Sequence, residues 1–276
     1  MTPDARSTPP SPATPRPAAP AADNARFRPW SSWLGHRTRS PRTGGAGAAL
    51  DHLVGGVRRF QRYTAPLVRQ ELARLAREGQ APSQLFVSCA DSRMVTSMIT
   101  SSGPGDLFTV RNVGNLVPPP QGRGTPGEPG DDSVGAAVEY AVEVLRVRSV
   151  TVCGHSGCGA MQGLLRGAHR PSGEATPLGR WLRNGGASLA RAQREPARFA
   201  DRPADELERL CLSNVVQQLE NLAAHPAVRS RTADGGPDGL ELVGMYFDIA
   251  AAQAYLLDPA SGVFRPVGAE EAGSAA

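Results

Sequence analysis

Short apolar runs that alternate with helical segments are the feature that most constrains the fold of this 276-residue chain. Three such runs lie at residues 85–88, 107–110 and 149–153, and each ends where polar or glycine residues begin. Between the last two, residues 132–147 carry apolar side chains at helical spacing behind an Asp. Strands separated by helices are typical of a parallel sheet covered by helices. We therefore expect an α/β fold, a single domain with a mostly parallel β-sheet flanked by helices.

The segments on either side extend this pattern. Residues 50–78 read as a helical arm, interrupted at Pro66, with an apolar stripe of Leu67, Leu72 and Leu75. Two further helices and three further strands are predicted downstream, at residues 178–194 and 206–225, and at 240–249, 254–257 and 263–267.

Residues 1–48 differ in composition from the rest of the chain. They contain nine prolines and no apolar periodicity, which predicts a disordered tail before a folded domain at residues 49–270. They also contain seven Arg and two Asp, so the basic excess of the chain belongs to the tail and the body is nearly neutral. Nucleic acid is therefore not an expected partner. No apolar run approaches the length of a membrane span or a signal sequence, so a cytoplasmic protein without membrane contact is expected.

Two motifs follow directly on predicted strands. Cys89, Asp91 and Arg93 come after the first strand, and His155 and Cys158 come after the third. The carboxyl ends of parallel strands are where α/β proteins place ligands. Zinc binds thiolate sulfur and imidazole nitrogen, and three protein ligands leave the fourth tetrahedral position for water. Cys89, His155 and Cys158 therefore predict an open zinc site.

The other cysteines and histidines have simpler interpretations. Cys153 lies within an apolar run and Cys211 within a helix rich in Leu and Val, so both are expected to be buried as small apolar side chains. Four cysteines are too few for a disulfide framework in a chain of this length. The remaining histidines lie in the tail or near segment ends without ligand-like partners, namely His36, His52, His169 and His225.

The Asp-x-Arg pair gains meaning from its position. Such a pair in isolation is usually a surface ion pair of little energetic weight. Here Asp91 stands two residues from a predicted ligand, where its carboxylate could bind the metal or accept a hydrogen bond from the metal's water. Arg93 is spaced to hold that carboxylate through a bidentate contact.

Taken together, Cys-x-Asp-x-Arg and His-x-x-Cys, each after a strand, resemble the β-carbonic anhydrases. The resemblance extends over residues 50–267 and includes DLFTVRNVGNLV at 106–117, SVGAAVEYAVEVL at 133–145 and CGHSGCGA at 153–160. It implies one Zn²⁺ per subunit on Cys89, His155 and Cys158, with Asp91 and Arg93 as a catalytic dyad. The implied reaction is the reversible hydration of carbon dioxide to bicarbonate and a proton by a zinc-bound hydroxide.

Similarity to the plant-type members implies more. Gln80, Phe108 and Tyr140 would line the carbon dioxide pocket from a neighbouring subunit, with the Gly159 amide completing it, which implies a homodimer or tetramer. The bicarbonate-inhibited subtype carries Trp three residues before the first Cys ligand, where this chain has Phe86. The open form is therefore expected, with Asp91 paired to Arg93. In a closed, inactive form, favoured at lower pH, Asp91 would instead bind zinc.

Two alternatives stay open on the sequence. Relatives of the same fold hydrolyse carbonyl sulfide or carbon disulfide, and these motifs do not exclude that substrate. A non-catalytic zinc-stabilised module, docking through the basic tail, is the other alternative. The Asp91 and Arg93 pair argues against it, because a structural metal site has no use for a group that orients water.

Overall fold

A computed structural model describes residues 46–120, 132–169, 176–233 and 239–268. The predicted tail lies outside the described residues except for its last three, which begin helix α1 at Ala46. The described elements follow one another as strands β1–β7 and helices α1–α9. In chain order they are α1 (Ala46–Arg59), α2 (Ala65–Glu78), β1 (Gln84–Cys89), α3 (Thr96–Ile99), β2 (Leu107–Asn112), α4 (Ser133–Glu139), β3 (Ser149–His155), α5 (Gly159–Leu165), α6 (Pro177–Leu182), α7 (Gly186–Arg194), β4 (Arg198–Phe199), α8 (Glu206–Ala224), α9 (Pro226–Ala233), β5 (Glu241–Asp248), β6 (Gln253–Asp258) and β7 (Val263–Pro266).

The strands form one seven-stranded sheet in the order β2-β1-β3-β5-β6-β7-β4. Strand β1 pairs in parallel with both β2 and β3, and β3 pairs in parallel with β5. Strands β5, β6 and β7 pair antiparallel, and β4 returns parallel to β7. The mostly parallel sheet flanked by helices is therefore confirmed. The two-residue strand β4 was not predicted, because so short a segment leaves no apolar run.

Both faces of β1 and β3 are buried, which explains the continuous apolar runs of these two strands. Along β1, Leu85 and Val87 point into the main core, while Phe86 lies in a smaller core on the opposite face. Every residue of β1 after Gln84 is buried. The two cores hold β1 from both faces, so the carboxyl end of this strand has a fixed position at the edge of the sheet.

Helix α8 packs closely on β3. A Cβ added at Gly154 would lie 2.7 Å from Val215 Cγ2 and 3.3 Å from the carbonyl oxygen of Cys211, so only glycine permits this approach. The close approach brings the polar residues of α8 next to the loops that follow the strands.

The helical arm departs from its predicted form in one respect. The break between its helices is a π-helical turn, Phe60–Thr64, whereas Pro66 lies in the first turn of α2, where a proline costs no hydrogen bond. The arm leaves large apolar side chains exposed, including Leu53 and Leu67, which are 62% and 68% accessible. Among the described residues, no helix combines the length and apolar character needed to cross a bilayer.

Candidate metal centre

The loop after β1 is folded around the carboxylate of Asp91. The backbone amide of Arg93 donates to Asp91 Oδ1 at 2.9 Å, closing a tight turn. The Arg93 guanidinium grips the same carboxylate at both oxygens, Nε to Oδ1 at 2.9 Å and Nη2 to Oδ2 at 2.7 Å. Nη2 also donates to the carbonyl of Gly157 at 3.0 Å, which ties this loop to the one after β3.

Neighbouring strand β2 fixes the backbone of the same loop. Arg111 donates to the carbonyl oxygen of Cys89 from Nε at 3.2 Å and from Nη2 at 3.1 Å, and to that of Asp91 at 2.8 Å. The amide of Ala90 donates to the Asn112 carbonyl at 2.8 Å. The backbone that carries Cys89 and Asp91 is thus held independently of any metal.

The loop after β3 presents the imidazole of His155 in a defined tautomer. His155 Nδ1 lies 3.0 Å from the carbonyl oxygen of Ser156. Because a carbonyl oxygen only accepts, Nδ1 carries the proton and Nε2 keeps its lone pair. That Nε2 is buried and has no hydrogen-bond partner. A buried nitrogen that has a lone pair and no hydrogen-bond donor is typical of a histidine that binds a metal.

Ser156 anchors this loop to β5. Its amide donates to the Phe247 carbonyl at 3.0 Å, and its Oγ accepts from the amide of Ile249 at 2.9 Å. Gly157 then turns the chain with a φ of +62°, a left-handed conformation that favours glycine, and Cys158 precedes α5.

Three ligand atoms converge at this edge of the sheet. The Sγ atoms of Cys89 and Cys158 and a ring nitrogen of His155 all lie within 4.8 Å of one another. The three residues are buried, with 5%, 1% and 0% of their surface exposed. Two sulfurs and one imidazole nitrogen are the donor set that zinc accepts in tetrahedral sites. The residues present therefore fit a zinc ion.

The charges around the cluster suit a cation and an ionised carboxylate. Hydrogen bonding with Cys158, aided by the Gly114 amide, lowers the pKa of the Cys89 thiol to about 4. The same contact with Cys89, together with burial, raises the pKa of the Cys158 thiol. The hydrogen bonds from Arg93 hold the pKa of the Asp91 carboxyl well below its usual range, so Asp91 is an acceptor at neutral pH.

The predicted pocket residues fall into two groups. Gly159 adjoins Cys158 as the first residue of α5. Phe108 and Tyr140 lie together, with ring centroids 5.7 Å apart, but Phe108 pairs with Leu85, four residues before Cys89. That offset is about 13 Å along the strand. Gln80 is exposed in the segment before β1. The structure therefore brings Gly159 to the cluster of its own chain and leaves the other three at the far end of the strands.

The loop after β2, residues 112–117, also contacts the cluster and was not predicted to. Its Gly114 amide donates to Cys89 Sγ at 3.4 Å, with φ at +85°. Asn214 of α8 donates to the Gly114 carbonyl at 3.0 Å, and Gln218 accepts from the Val117 amide at 2.8 Å. The signal in the sequence was the polar spacing of Asn214, Gln218 and Asn221 on one side of an apolar helix. That spacing reads equally well as a solvated face.

Among the described residues, the other histidines and cysteines do not belong to the group of ligand atoms, although Cys211 lies close to Cys158. Cys153 and Cys211 are fully buried, as expected, and burial raises the pKa of each thiol to about 12. His225 lies at the carboxyl end of α8, with Nε2 3.0 Å from the carbonyl oxygen of Pro118. His36 lies outside the described residues.

Known proteins are similar to this chain in sequence and fold. Residues 84–254 match the family model described as carbonic anhydrase. A carbonic anhydrase of Pseudomonas aeruginosa is 39% identical over 212 residues, which cover 77% of this chain and 89% of that protein. The solved structure of the β-carbonic anhydrase CcaA has a TM-score of 0.68 and 32% identity, covering 81% of this chain and 94% of its own. A solved structure of β-carbonic anhydrases from Sordaria macrospora, described as tetrameric, has a TM-score of 0.59 and 28% identity, covering 75% and 96%.

The family model spans more than half of the chain, and the similarity covers nearly the whole of these relatives. Both matches include the loops that carry Cys89, His155 and Cys158. The chain is therefore an enzyme of the β-class carbonic anhydrase family.

Proposed function

We propose that this enzyme binds one zinc ion per chain through Cys89, His155 and Cys158 and uses it to hydrate carbon dioxide reversibly to bicarbonate. The observation that carries the proposal is the buried convergence of two sulfurs and a free imidazole nitrogen within 4.8 Å. A bound zinc ion would supply the acidity that lets a water lose its proton near neutral pH, as is known for carbonic anhydrases with other ligands. Three protein ligands leave the position at which that water is held.

Asp91 is proposed to orient the water and accept its hydrogen bond. Its carboxylate stays ionised because Arg93 holds both oxygens, so it accepts and does not donate at neutral pH. Arg93 also donates to the Gly157 carbonyl, and this contact fixes the position of Asp91 and Arg93 relative to the loop that carries Cys158. In this geometry the carboxylate belongs to the pair with Arg93, which supports the open form. Asp91 would bind metal only in a closed form that first breaks that pair.

The substrate pocket is proposed to be completed by a second copy of the chain. The Gly159 amide stands next to Cys158 and would orient a substrate oxygen. Phe108 and Tyr140 supply an apolar wall, yet they lie at the opposite end of the strands from the cluster of their own chain. Gln80 is exposed in the segment that precedes β1. These three residues can therefore act on a cluster only if it belongs to a neighbouring subunit.

The arm supports a homo-oligomer, a dimer or a tetramer. Large apolar side chains along α1, the π-helical turn and α2 are 41% to 68% exposed, a patch that a lone chain leaves in water. They are Leu50, Leu53, Val57, Phe60, Tyr63, Leu67 and Leu72. The Sordaria macrospora structure, by its description, is tetrameric. We also retain the expected cytoplasmic setting, since all four cysteines are free thiols.

Stopped-flow hydration of carbon dioxide near pH 8 tests the proposal, on protein of measured zinc content with and without a chelator. Fast hydration that is lost with zinc and restored by it is the expected result. Stoichiometric zinc without hydration from pH 7 to 9 would contradict it. Carbonyl sulfide hydrolysis would then be measured on the same protein, and a protein inactive on both would fit a non-catalytic zinc module.

A further inference from the structure

One peptide group connects helix α6 to a sulfur of the metal cluster. The Gly114 amide N–H donates to Cys89 Sγ at 3.4 Å. The carbonyl of the same peptide group belongs to Val113, and it accepts the indole Nε1–H of Trp181 at 2.7 Å. The indole, the Val113–Gly114 peptide and the Cys89 sulfur thus form a chain of two hydrogen bonds in series.

Hydrogen bonds in series strengthen one another, because a donor at the carbonyl oxygen polarises the peptide and makes its N–H a better donor. The indole contact also fixes which way the peptide faces. If that peptide rotated by half a turn, its carbonyl oxygen would face a sulfur that should carry negative charge. A donor at the Val113 oxygen therefore favours the one orientation that suits a thiolate.

We propose that Trp181 is a positioning residue for the metal centre, holding and polarising the Val113–Gly114 peptide so that its N–H stabilises Cys89 as a thiolate ligand. The inference rests on the proposed zinc function and adds a residue that touches neither the metal nor the substrate. Trp181 is half-buried and packs against the main core, but its polar atom has this specific target.

The next peptide group, Gly114–Asn115, is held by Asn214 and not by Trp181. Trp181 is therefore the side chain that acts on the Val113–Gly114 peptide. Asn214 Nδ2 donates to the Gly114 carbonyl at 3.0 Å. Asn214 Oδ1 accepts from Ser188 Oγ at 2.8 Å and from Gln218 Nε2 at 3.0 Å, so its amide cannot turn around. This network fixes the position of the loop, whereas the indole acts on the peptide group that faces the sulfur.

The test is Trp181→Phe, which keeps an aromatic ring and removes the N–H. The matched control is Asn221→Ala, which removes a 2.8 Å hydrogen bond to the Val117 carbonyl of the same loop. Asn221 reaches Gly114 only through Gln218 and Asn214, which hold the Gly114 carbonyl and not the Gly114 amide. Zinc release to a chelator and the absorption spectrum of the cobalt(II)-substituted protein are measured for both. We expect Trp181→Phe to release zinc about 10-fold faster, the low end for residues that support a metal ligand. Its sulfur-to-cobalt charge-transfer band should move to lower energy, because the thiolate has lost a hydrogen-bond donor.

The control should show the wild-type band and release rate, whatever its loss of thermal stability. Identical spectra and release rates in Trp181→Phe and the control would overturn the proposal. Should Trp181→Phe fail to fold, wild-type protein loaded with cadmium-113 gives a second test. A scalar coupling from the metal to the Gly114 amide proton is expected across the N–H···S bond, and its absence would overturn the proposal. Wild-type protein that binds no zinc would instead contradict the proposed function, a distinct failure.

Discussion

Two regions of the molecule differ in whether their side chains find partners within the chain. One is the set of loops after β1, β2 and β3, and the other is the helical arm before β1. In the loops, the backbone and the Asp91 carboxylate find partners within the chain, from the two Arg93 contacts on Asp91 to the Gly114 amide on the Cys89 sulfur. In the arm, apolar side chains such as Leu53 and Leu67 are mostly exposed, although they follow the helical spacing of a buried stripe.

This contrast separates two requirements of catalysis. The three proposed ligands converge within a single chain, so metal binding should not depend on a partner. The proposed apolar wall, Phe108 and Tyr140, lies away from them, so turnover should depend on a partner. Variants of the loops and of the arm should therefore fail in different ways.

The largest effect is expected from Cys158→Ser, which removes one of the three proposed ligands. A serine hydroxyl is a poor substitute for a thiolate, so we expect loss of stoichiometric zinc and of nearly all carbon dioxide hydration. The matched control is Cys153→Ser, a buried thiol on the opposite face of the sheet that should keep its zinc. Metal analysis and stopped-flow hydration check both variants. Full zinc and turnover in Cys158→Ser would remove this cysteine from the metal site.

Asp91→Asn should separate metal binding from turnover. An amide has one oxygen, so it cannot keep both contacts with Arg93 or present an ionised acceptor to the water, whereas the three proposed ligands are untouched. We expect one zinc per chain and a hydration rate lower by about 10²- to 10³-fold, the scale of one lost polar contact to the reacting group. Asp258→Asn, in the turn between β6 and β7, serves as the control and should leave the rate unchanged. An Asp91→Asn enzyme with wild-type turnover would contradict the assigned dyad.

The sequence predicts the parts of this site that follow from strand order, and it misses contacts between side chains that are far apart along the chain. The convergence of Cys89, His155 and Cys158 was predictable because each lies at or just after the end of a strand, and the ends of adjacent parallel strands meet. The support from Arg111 and Asn214 was not, because nothing in a linear pattern shows which carbonyl a side chain reaches. The same holds for Trp181, whose partner Val113 lies 68 residues away.

The fold shows the same division. Strands β1 and β3 are continuous apolar runs because both of their faces are buried, so composition alone reveals them. Strand β2 lies at the edge of the sheet and is only partly buried, with Thr109 and Arg111 exposed. The stripe along the arm was also predicted, through Leu67, Leu72 and Leu75. The sequence did not show that the chain leaves Leu67 and Leu72 exposed, because a helix buried by its own core and one awaiting a partner have the same period.

Leu67→Arg tests the arm side of the comparison. Leu67 is the most exposed large apolar side chain of the arm, and burying a leucine is worth about 1.5–3 kcal/mol. Sedimentation velocity should show a subunit dissociation constant raised by about 10- to 100-fold. Hydration per chain should fall as protein is diluted, while zinc content stays at one per chain. Leu178→Arg is the control, since Leu178 is 54% exposed on α6, outside the arm. A monomeric Leu67→Arg protein with full turnover would show that the pocket needs no partner.

The smallest effect is expected from Gly114→Ala, which tests whether the backbone of the loop after β2 tolerates an added Cβ. Gly114 has a φ of +85°, and an added Cβ would lie 2.9 Å from the Cβ of Ala160. The left-handed backbone alone costs about 1–2 kcal/mol for a residue with a Cβ. Thermal and denaturant unfolding should show at least that loss. Gly186→Ala is the matched control, because it lies in α7 with open space around its Cβ position and should be neutral or stabilising by up to about 1 kcal/mol. Equal stability of the two variants would mean that the loop backbone adjusts to the added Cβ at no cost. The Gly114 amide would then be a poor candidate for holding a thiolate in place.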